Sequence, residues 1–155
     1  MIHIICVGKI KKEYIEKTCD DYENRIKKYT KIKITQIADV NVANEADINK
    51  ALEKEADGIL KVISPSDYVF ALAINGKQID SMEFAKKIQD LQMEVKGDIV
   101  FIIGSSHGLH EKVINRAQML LSFSKMTFAH QIFRALLLEQ IYRAFSIINN
   151  APYHK

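Results

Sequence analysis

Apolar runs of strand length alternate with stretches of helical period from one end of the chain to the other. The runs Ile2 to Val7, Ile32 to Ala38, Tyr68 to Ile74, Ile99 to Ile103 and Met119 to Phe123 read as strands. Glu13 to Lys28, Glu45 to Val62, Ser81 to Val95, His110 to Gln118 and Gln131 to Ile148 read as helices. Five rounds of strand then helix predict an α/β fold, a mostly parallel sheet with helices on both faces, because parallel neighbours need a crossover long enough to hold a helix. "VFALAI" and "IVFII" are apolar almost without a break, which suits central strands buried on both sides. The last helix carries Ile132, Phe133, Leu136, Leu137, Leu138, Ile141, Phe145, Ile147 and Ile148 nearly all the way round. One face on the sheet leaves a second to bury, and a symmetric homodimer is the expected cover; the other arrangement is a helix sandwiched within one chain.

At 155 residues the chain is sized for one domain, expected to span 1–155, with a core that needs neither disulfide nor metal. Hydrophobic residues at 48% and charged residues at 26%, with two prolines and six glycines, describe a compact chain rather than a disordered one. The apolar start lacks a basic segment and a small-residue cleavage site, so it reads as a strand and not as a signal peptide. Cys6 and Cys19 have no metal-site spacing and are expected to be reduced, in a cytoplasmic protein. His130, Arg134, Glu139, Gln140 and Arg143 recur through the final helix, and ionisable groups cost kilocalories in hydrocarbon, so it is not expected to span a membrane.

The formal net charge of +3 is too mild to announce a nucleic-acid binder, but its distribution is uneven. Lys9, Lys11, Lys12, Lys17, Arg25, Lys27, Lys28, Lys31 and Lys33 make nine basic residues against five acidic ones, whereas Asp39 to Leu60 holds six acidic residues against Lys50 and Lys54. A basic front with an acidic flank follows, unless these are ordinary solvated helix faces.

In a sheet of this kind ligands bind where strands end and helices begin. Three loops qualify: Asn75-Gly76-Lys77, Gly104 to Gly108, and Ser122 to Phe128. "GSSHG" lets backbone approach a ligand, yet it matches neither GxGxxG nor the GxxxxGK phosphate loop, which disfavours nicotinamide and nucleoside-triphosphate enzymes. "SFSKMTF" offers small hydroxyls with Phe123, Met126 and Phe128, which suit an uncharged flat ring such as adenine and would suit a core equally well. His3, His107, His110, His130 and His154 have no zinc spacing, so no metal is expected.

"CVGKIKKEY", "IIGSSHGL", "LSFSKMTFAHQIFRALLLEQIYRAF" and the terminal "PYHK" run in the same order, over essentially the full chain, as in a known family. The sequence resembles the ribosomal RNA large-subunit methyltransferase H family (RlmH, formerly YbeA) of the SPOUT class. That resemblance implies a C-terminal trefoil knot, S-adenosyl-L-methionine held in the knotted crease, and a homodimer built on the knot region. It also implies methyl transfer to N3 of a pseudouridine in large-subunit (23S) ribosomal RNA, preferably on assembled ribosomes. By position, cofactor contacts would fall on Leu72, Gly104, Phe123, Ser124, Lys125, Met126, Thr127 and Phe128. Three positions depart from the usual pattern: Ser105 where a second glycine is common, His107 for asparagine, and Ala129 for proline, which predicts a softer loop or weaker cofactor binding.

The imide N3 of a uracil-like ring is protonated at neutral pH, so the reaction asks for positioning and one proton acceptor. His154 is the first candidate, because imidazole titrates near the working pH and a C-terminal tail can close over a base. Tyr153 is expected to stack on the base or bond to its edge, and Arg143 to hold a phosphate or the backbone near the tail; an ordinary disordered end is the competing reading. Arg134 is expected to pair with Glu139 or with a partner chain. Two other functions fit the same residues: a knotted methyltransferase acting on transfer RNA, and a non-catalytic ribosome-binding or nucleotide-sensing dimer.

Overall fold

The computed structural model describes residues 1–154 of the chain; Lys155, the end of the terminal tail, lies outside the described residues. Five strands, β1 (Ile2–Val7), β2 (Ile32–Ile37), β3 (Tyr68–Gln78), β4 (Ile99–Ile103) and β5 (Met119–Ser122), form one sheet in the order β2-β1-β4-β3-β5. Every neighbouring pair is parallel, as the alternating pattern predicts. Helices α1 (Glu13–Ile26), α2 (Ile48–Leu60), α3 (Ser81–Glu94) and α4 (Glu111–Arg116) connect the strands, and α5 (His130–Ile148) follows the last one.

Side chains two apart along a strand share a face, and this period sorts the core into two layers. Ile2, Ile4 and Cys6 of β1 and Ile99, Phe101 and Ile103 of β4 pack with α1, α3 and α5. Their neighbours Ile5, Val7, Val100 and Ile102 pack on the opposite face with Ala56 and Ile59 of α2 and Val113 of α4. Phe70 stacks on Phe101 with ring centroids 4.8 Å apart, across the paired centre of β3 and β4. Each fully buried isoleucine contributes roughly 1.5–3 kcal/mol, which is why β4, buried at every position in the centre of the sheet, is apolar throughout.

Helix α5 lies in the layer with α1 and α3. Leu137, Leu138, Ile141, Ala144 and Phe145 are buried there, and Tyr29 stacks on Phe145 at 6.1 Å. The chain itself therefore covers much of the helix that its sequence leaves open. What stays uncovered gathers near its start, where Ile132 is 47% exposed. No helix among the described residues is long and apolar enough to cross a membrane. Cys6 and Cys19 are free and buried, and burial pushes both thiols up to about 11.

Two boundaries differ from expectation. Glu45 opens a single 3-10 turn, Glu45–Asp47, before α2 begins, because Asn44 and Asp47 favour caps and turns over helix interior. More consequentially, Asn75-Gly76-Lys77 is not a loop after β3 but part of it. The ladder with β5 breaks between Leu72 and Lys77, both of which pair with Leu121, so the intervening residues bulge. Gly76 permits the return: a Cβ there would lie 2.7 Å from the Leu120 carbonyl carbon, closer than any side chain allows.

Candidate cofactor cavity and tail cluster

The carboxyl ends of β3, β4 and β5 and the first turn of α5 enclose a cavity of about 750 Å3. Its floor is set by the turn after β4. A Cβ on Gly104 would collide with the carbonyl of Gly108, and Gly108 itself has φ +89, so both glycines are required for the chain to double back. Ser105 and Gly108 bridge across the turn, with the Gly108 N–H donating to the Ser105 carbonyl at 3.0 Å.

Its wall is the segment from Ser122 to Ala129. Ser122 Oγ donates to the Ser124 carbonyl at 2.9 Å, and Ser124 Oγ accepts from the Met126 N–H at 3.0 Å, so these hydroxyls hold the loop against itself. Phe133 packs between Phe123 and Phe128, at 4.9 and 6.1 Å, and seats the loop on the first turn of α5. Ala129 enters the helix at φ −59, the value a proline would preset, so this departure from the usual pattern leaves the entry geometry intact.

Leu72, Gly104, Phe123, Ser124, Met126, Thr127 and Phe128 all line the cavity, whereas Lys125 shares the loop without lining it. Among the described residues, no Asp, Glu, Lys or Arg lines the space; His107 and His130 are the titratable groups there. Asn75, from the first of the three loops singled out in the sequence, lines the wall, carried there with Ile74 by the bulge in β3; sequence reading missed Ile74 and His130, which opens α5. His130 Nε2 and the Asp39 side chain both lie against Gly8 at the end of β1. The signal for His130 was its place directly between a strand-end loop and a helix. His107 and His110 do not form a metal pair: His110 instead caps α4, its Nδ1 accepting from the Lys112 N–H at 3.2 Å. No group of three metal-ligating side chains occurs among the described residues.

Arg143, Tyr153 and His154 come together elsewhere. Arg143 donates from Nε and Nη2 to Glu139 Oε1, at 3.0 and 2.6 Å, and these bonds hold its guanidinium in the charged state more firmly than usual. The Tyr153 hydroxyl reaches the same oxygen at 3.1 Å and lies 3.2 Å from the Tyr22 hydroxyl. Burial, then these two contacts, push its ionisation well above the ordinary tyrosine range. The Arg143 guanidinium stacks over the Tyr153 ring at 4.7 Å, and Tyr142 meets it edge-on at 4.7 Å. His154 Nδ1 lies 3.3 Å from Arg143 Nη1. A guanidinium only donates, so Nδ1 accepts and the proton resides on Nε2.

Arg134 does not pair with Glu139. Its guanidinium is buried, 3% exposed, and donates from Nη2 to the Gly8 carbonyl at 3.0 Å, pinning the end of β1 to α5. Arg143, about one turn beyond Glu139 and nearer the tail, takes Glu139 because the two are four residues apart on one helix face.

The tail folds back onto the second half of α5, and the cluster it forms stands apart from the cavity. Glu139 and Arg143 lie six and ten residues beyond Phe133, the last lining residue on the helix, about 9 and 15 Å at a helical rise of about 1.5 Å per residue. None of Glu139, Arg143, Tyr153 and His154 lines the cavity of its own chain.

Residues 1–154 match the family model described as "Predicted SPOUT methyltransferase". A Streptococcus uberis protein named ribosomal RNA large subunit methyltransferase H is 46% identical over 99% of both chains. One of the same name from Clostridium botulinum is also 46% identical over 99% of both. Among solved structures, a probable methylase family protein from Haemophilus influenzae Rd KW20 superposes with a TM-score of 0.52 at 16% identity, covering 96% of this chain and 66% of that one; the likeness is one of fold.

Proposed function

The chain belongs to the ribosomal RNA large-subunit methyltransferase H family of the SPOUT class, and from that membership we propose an S-adenosyl-L-methionine-dependent methyltransferase that modifies N3 of a pseudouridine in large-subunit (23S) ribosomal RNA. It acts on assembled ribosomes in the cytoplasm, as a homodimer of single domains spanning 1–155. A trefoil knot in its C-terminal part belongs to this reading, and the family membership supports it.

The observation that carries this reading is the cavity. Its volume falls within the range of about 300–1,000 Å3 typical of small-molecule and cofactor pockets. Leu72, Phe123 and Met126 offer apolar faces to an adenine, and Ser106 and Thr127 offer hydroxyls. No lysine or arginine among the lining residues opposes a cationic sulfonium, which a phosphate-binding cavity would require. When bound, the cofactor supplies an electrophilic methyl group. The protein's own tasks are to exclude water, to hold the base beside that methyl and to take the imide proton.

His154 is the proton acceptor in this reading, with Arg143 and Tyr153 holding the RNA. Because none of the tail-cluster residues lines the cavity of its own chain, the tail that serves each cavity in this reading is the partner's. For His154 to accept a proton its contact with Arg143 must open, since in the closed arrangement Nδ1 is engaged and Nε2 already carries hydrogen. Arrival of an RNA phosphate at Arg143 would release it.

RNA approaches over the segment between β1 and α1. Lys9, Lys11 and Lys12 are exposed there, and the Lys11 N–H donates to Gln131 Oε1 at 2.8 Å, which ties the segment to the cavity end of α5. Lys17, Arg25 and Lys27 are less available because they pair with Glu13, Asp21 and Glu23 along α1. Ribosome binding should therefore weaken as salt rises.

The test is transfer of a labelled methyl group from S-adenosyl-L-methionine to assembled ribosomes from cells lacking the endogenous enzyme, with mass spectrometry locating the product. A methyl on a pseudouridine of the large-subunit RNA is expected. Cofactor binding without transfer to ribosomes would overturn the substrate assignment.

A further inference from the structure

Glu55 on α2 is a carboxylate almost without solvent, 4% exposed, and it does not line the cavity. The same helix face is otherwise closed by Ala51, Ala56 and Ile59. Packing alone would be served by another apolar residue, and burying an ionised group is unfavourable unless its oxygens are bonded. Both are bonded, each to a different loop. Oε1 accepts from the Val40 N–H at 3.1 Å, and Oε2 accepts from Ser105 Oγ at 3.0 Å.

Those two loops leave the carboxyl ends of different strands. Ser105 belongs to the turn after β4 and lines the cavity. Val40 follows β2 and adjoins Asp39, whose side chain lies against Gly8 together with His130. A turn with glycine at both ends has many conformations to lose when it orders around a ligand, and a bond from its second residue to a fixed helix removes that loss in advance.

We propose that Glu55 is a positioning residue for the methyl-donor cavity, holding the Gly104–Gly108 turn through Ser105 Oγ so that the turn is ordered before the cofactor arrives. This rests on the reading of the cavity given above. It also assigns Ser105 a purpose: its hydroxyl meets a buried acceptor.

Two measurements test it. Hydrogen–deuterium exchange on the protein without ligand should show the amides of residues 104–109 exchanging about tenfold faster in Ser105→Ala and in Glu55→Ala. Calorimetric titration with S-adenosyl-L-methionine should show Kd raised about tenfold in each, and no further in the double variant, because both act through one bond. In turnover the loss falls on KM for the cofactor more than on kcat. Glu55→Gln should restore binding, since its amide can accept from Val40 and donate to Ser105 Oγ. Ser105→Ala removes only a hydroxyl, so it keeps the test decisive where Glu55→Ala fails to fold. Unchanged exchange and affinity in Ser105→Ala would overturn the proposal. Faster exchange in the variants, together with a wild-type protein that binds no S-adenosyl-L-methionine, would overturn the cofactor reading, and the positioning role for that ligand with it.

Discussion

At its first turn α5 borders a cavity whose rim is apolar and open, with Met126 74%, Phe128 40% and Ile132 47% exposed; from Glu139 onward the same helix carries a polar network in which Arg143, Tyr153 and His154 are each bonded. The first end is unfinished: it presents hydrophobic surface to water around an empty-walled space with no ionised carboxylate or ammonium. The second is complete in isolation, and its groups are restrained by one another. A ligand and a second surface are needed at the first end, whereas at the second something must break the existing bonds before chemistry begins. Methyl transfer to an imide nitrogen needs what both regions hold, and one chain keeps them apart along α5.

The sharpest way to break this comparison is complementation. Gly104→Ala places a methyl against the Gly108 carbonyl and should lower methyl transfer by more than about 100-fold, through loss of cofactor binding. His154→Ala should cost about 100-fold or more, as expected for a general base, while cofactor binding stays intact. Each variant alone is nearly inactive. Co-expressed in equal amounts and paired at random, half of the dimers would be mixed, and each of these would hold one intact cavity served by one intact tail; about a quarter of wild-type activity should return. No recovery in mixtures shown to contain mixed dimers would mean that the tail serves its own cavity.

The fold was legible because the strand and helix periods are clean, and strand-end geometry then led to loops that line the cavity. Gly104 and the segment from Phe123 to Phe128 could be named in advance because glycine and small hydroxyls stand where strands end. Asn75 was misread for a physical reason: Asn-Gly ordinarily marks a turn, and here the glycine serves close passage against Leu120 instead. Glu55 and His130 were invisible as partners of the site because their contacts, Ser105 and the end of β1, are distant in sequence. The two-sided apolarity of α5 overstated its open surface, since period alone cannot reveal that α1 and α3 flank it.

A smaller effect distinguishes the network from the tail residues it holds. Glu139→Gln keeps the side-chain shape but removes the charge shared by Arg143 and Tyr153. Methyl transfer should fall by about tenfold, less than for His154→Ala, because the tail remains present but less firmly placed. Tyrosine absorbance titration should show the Tyr153 ionisation moving down toward its ordinary range, since the carboxylate charge that opposes a phenolate is lost. An unchanged Tyr153 titration would show that burial alone sets it, and that Glu139 does not organise the tail.

His3 supplies the smallest effect and the control, because it lies in β1 away from both ends of α5. It is buried at 3% exposure, with Nε2 2.8 Å from Thr35 Oγ1, and burial followed by the nearby Lys33 charge lowers its pKa below 6.5. The unfolded chain therefore binds more protons at this position than the folded one once the pH falls below about 6.5. Its contribution to stability is fully present above that value and is lost as the pH drops through it toward the lower folded pKa. His3→Gln should flatten this acid limb in denaturation followed from pH 7.5 to 5.0, a range chosen on the order of one unit either side of the imidazole value. Methyl transfer at neutral pH should stay within about twofold of wild type, since His3 touches neither the cavity nor the tail. An acid limb as steep in His3→Gln as in the wild type would transfer the pH sensitivity to other groups, and a large loss of activity would mean that the sheet's interior, and not only the two ends of α5, sets the geometry of the reaction.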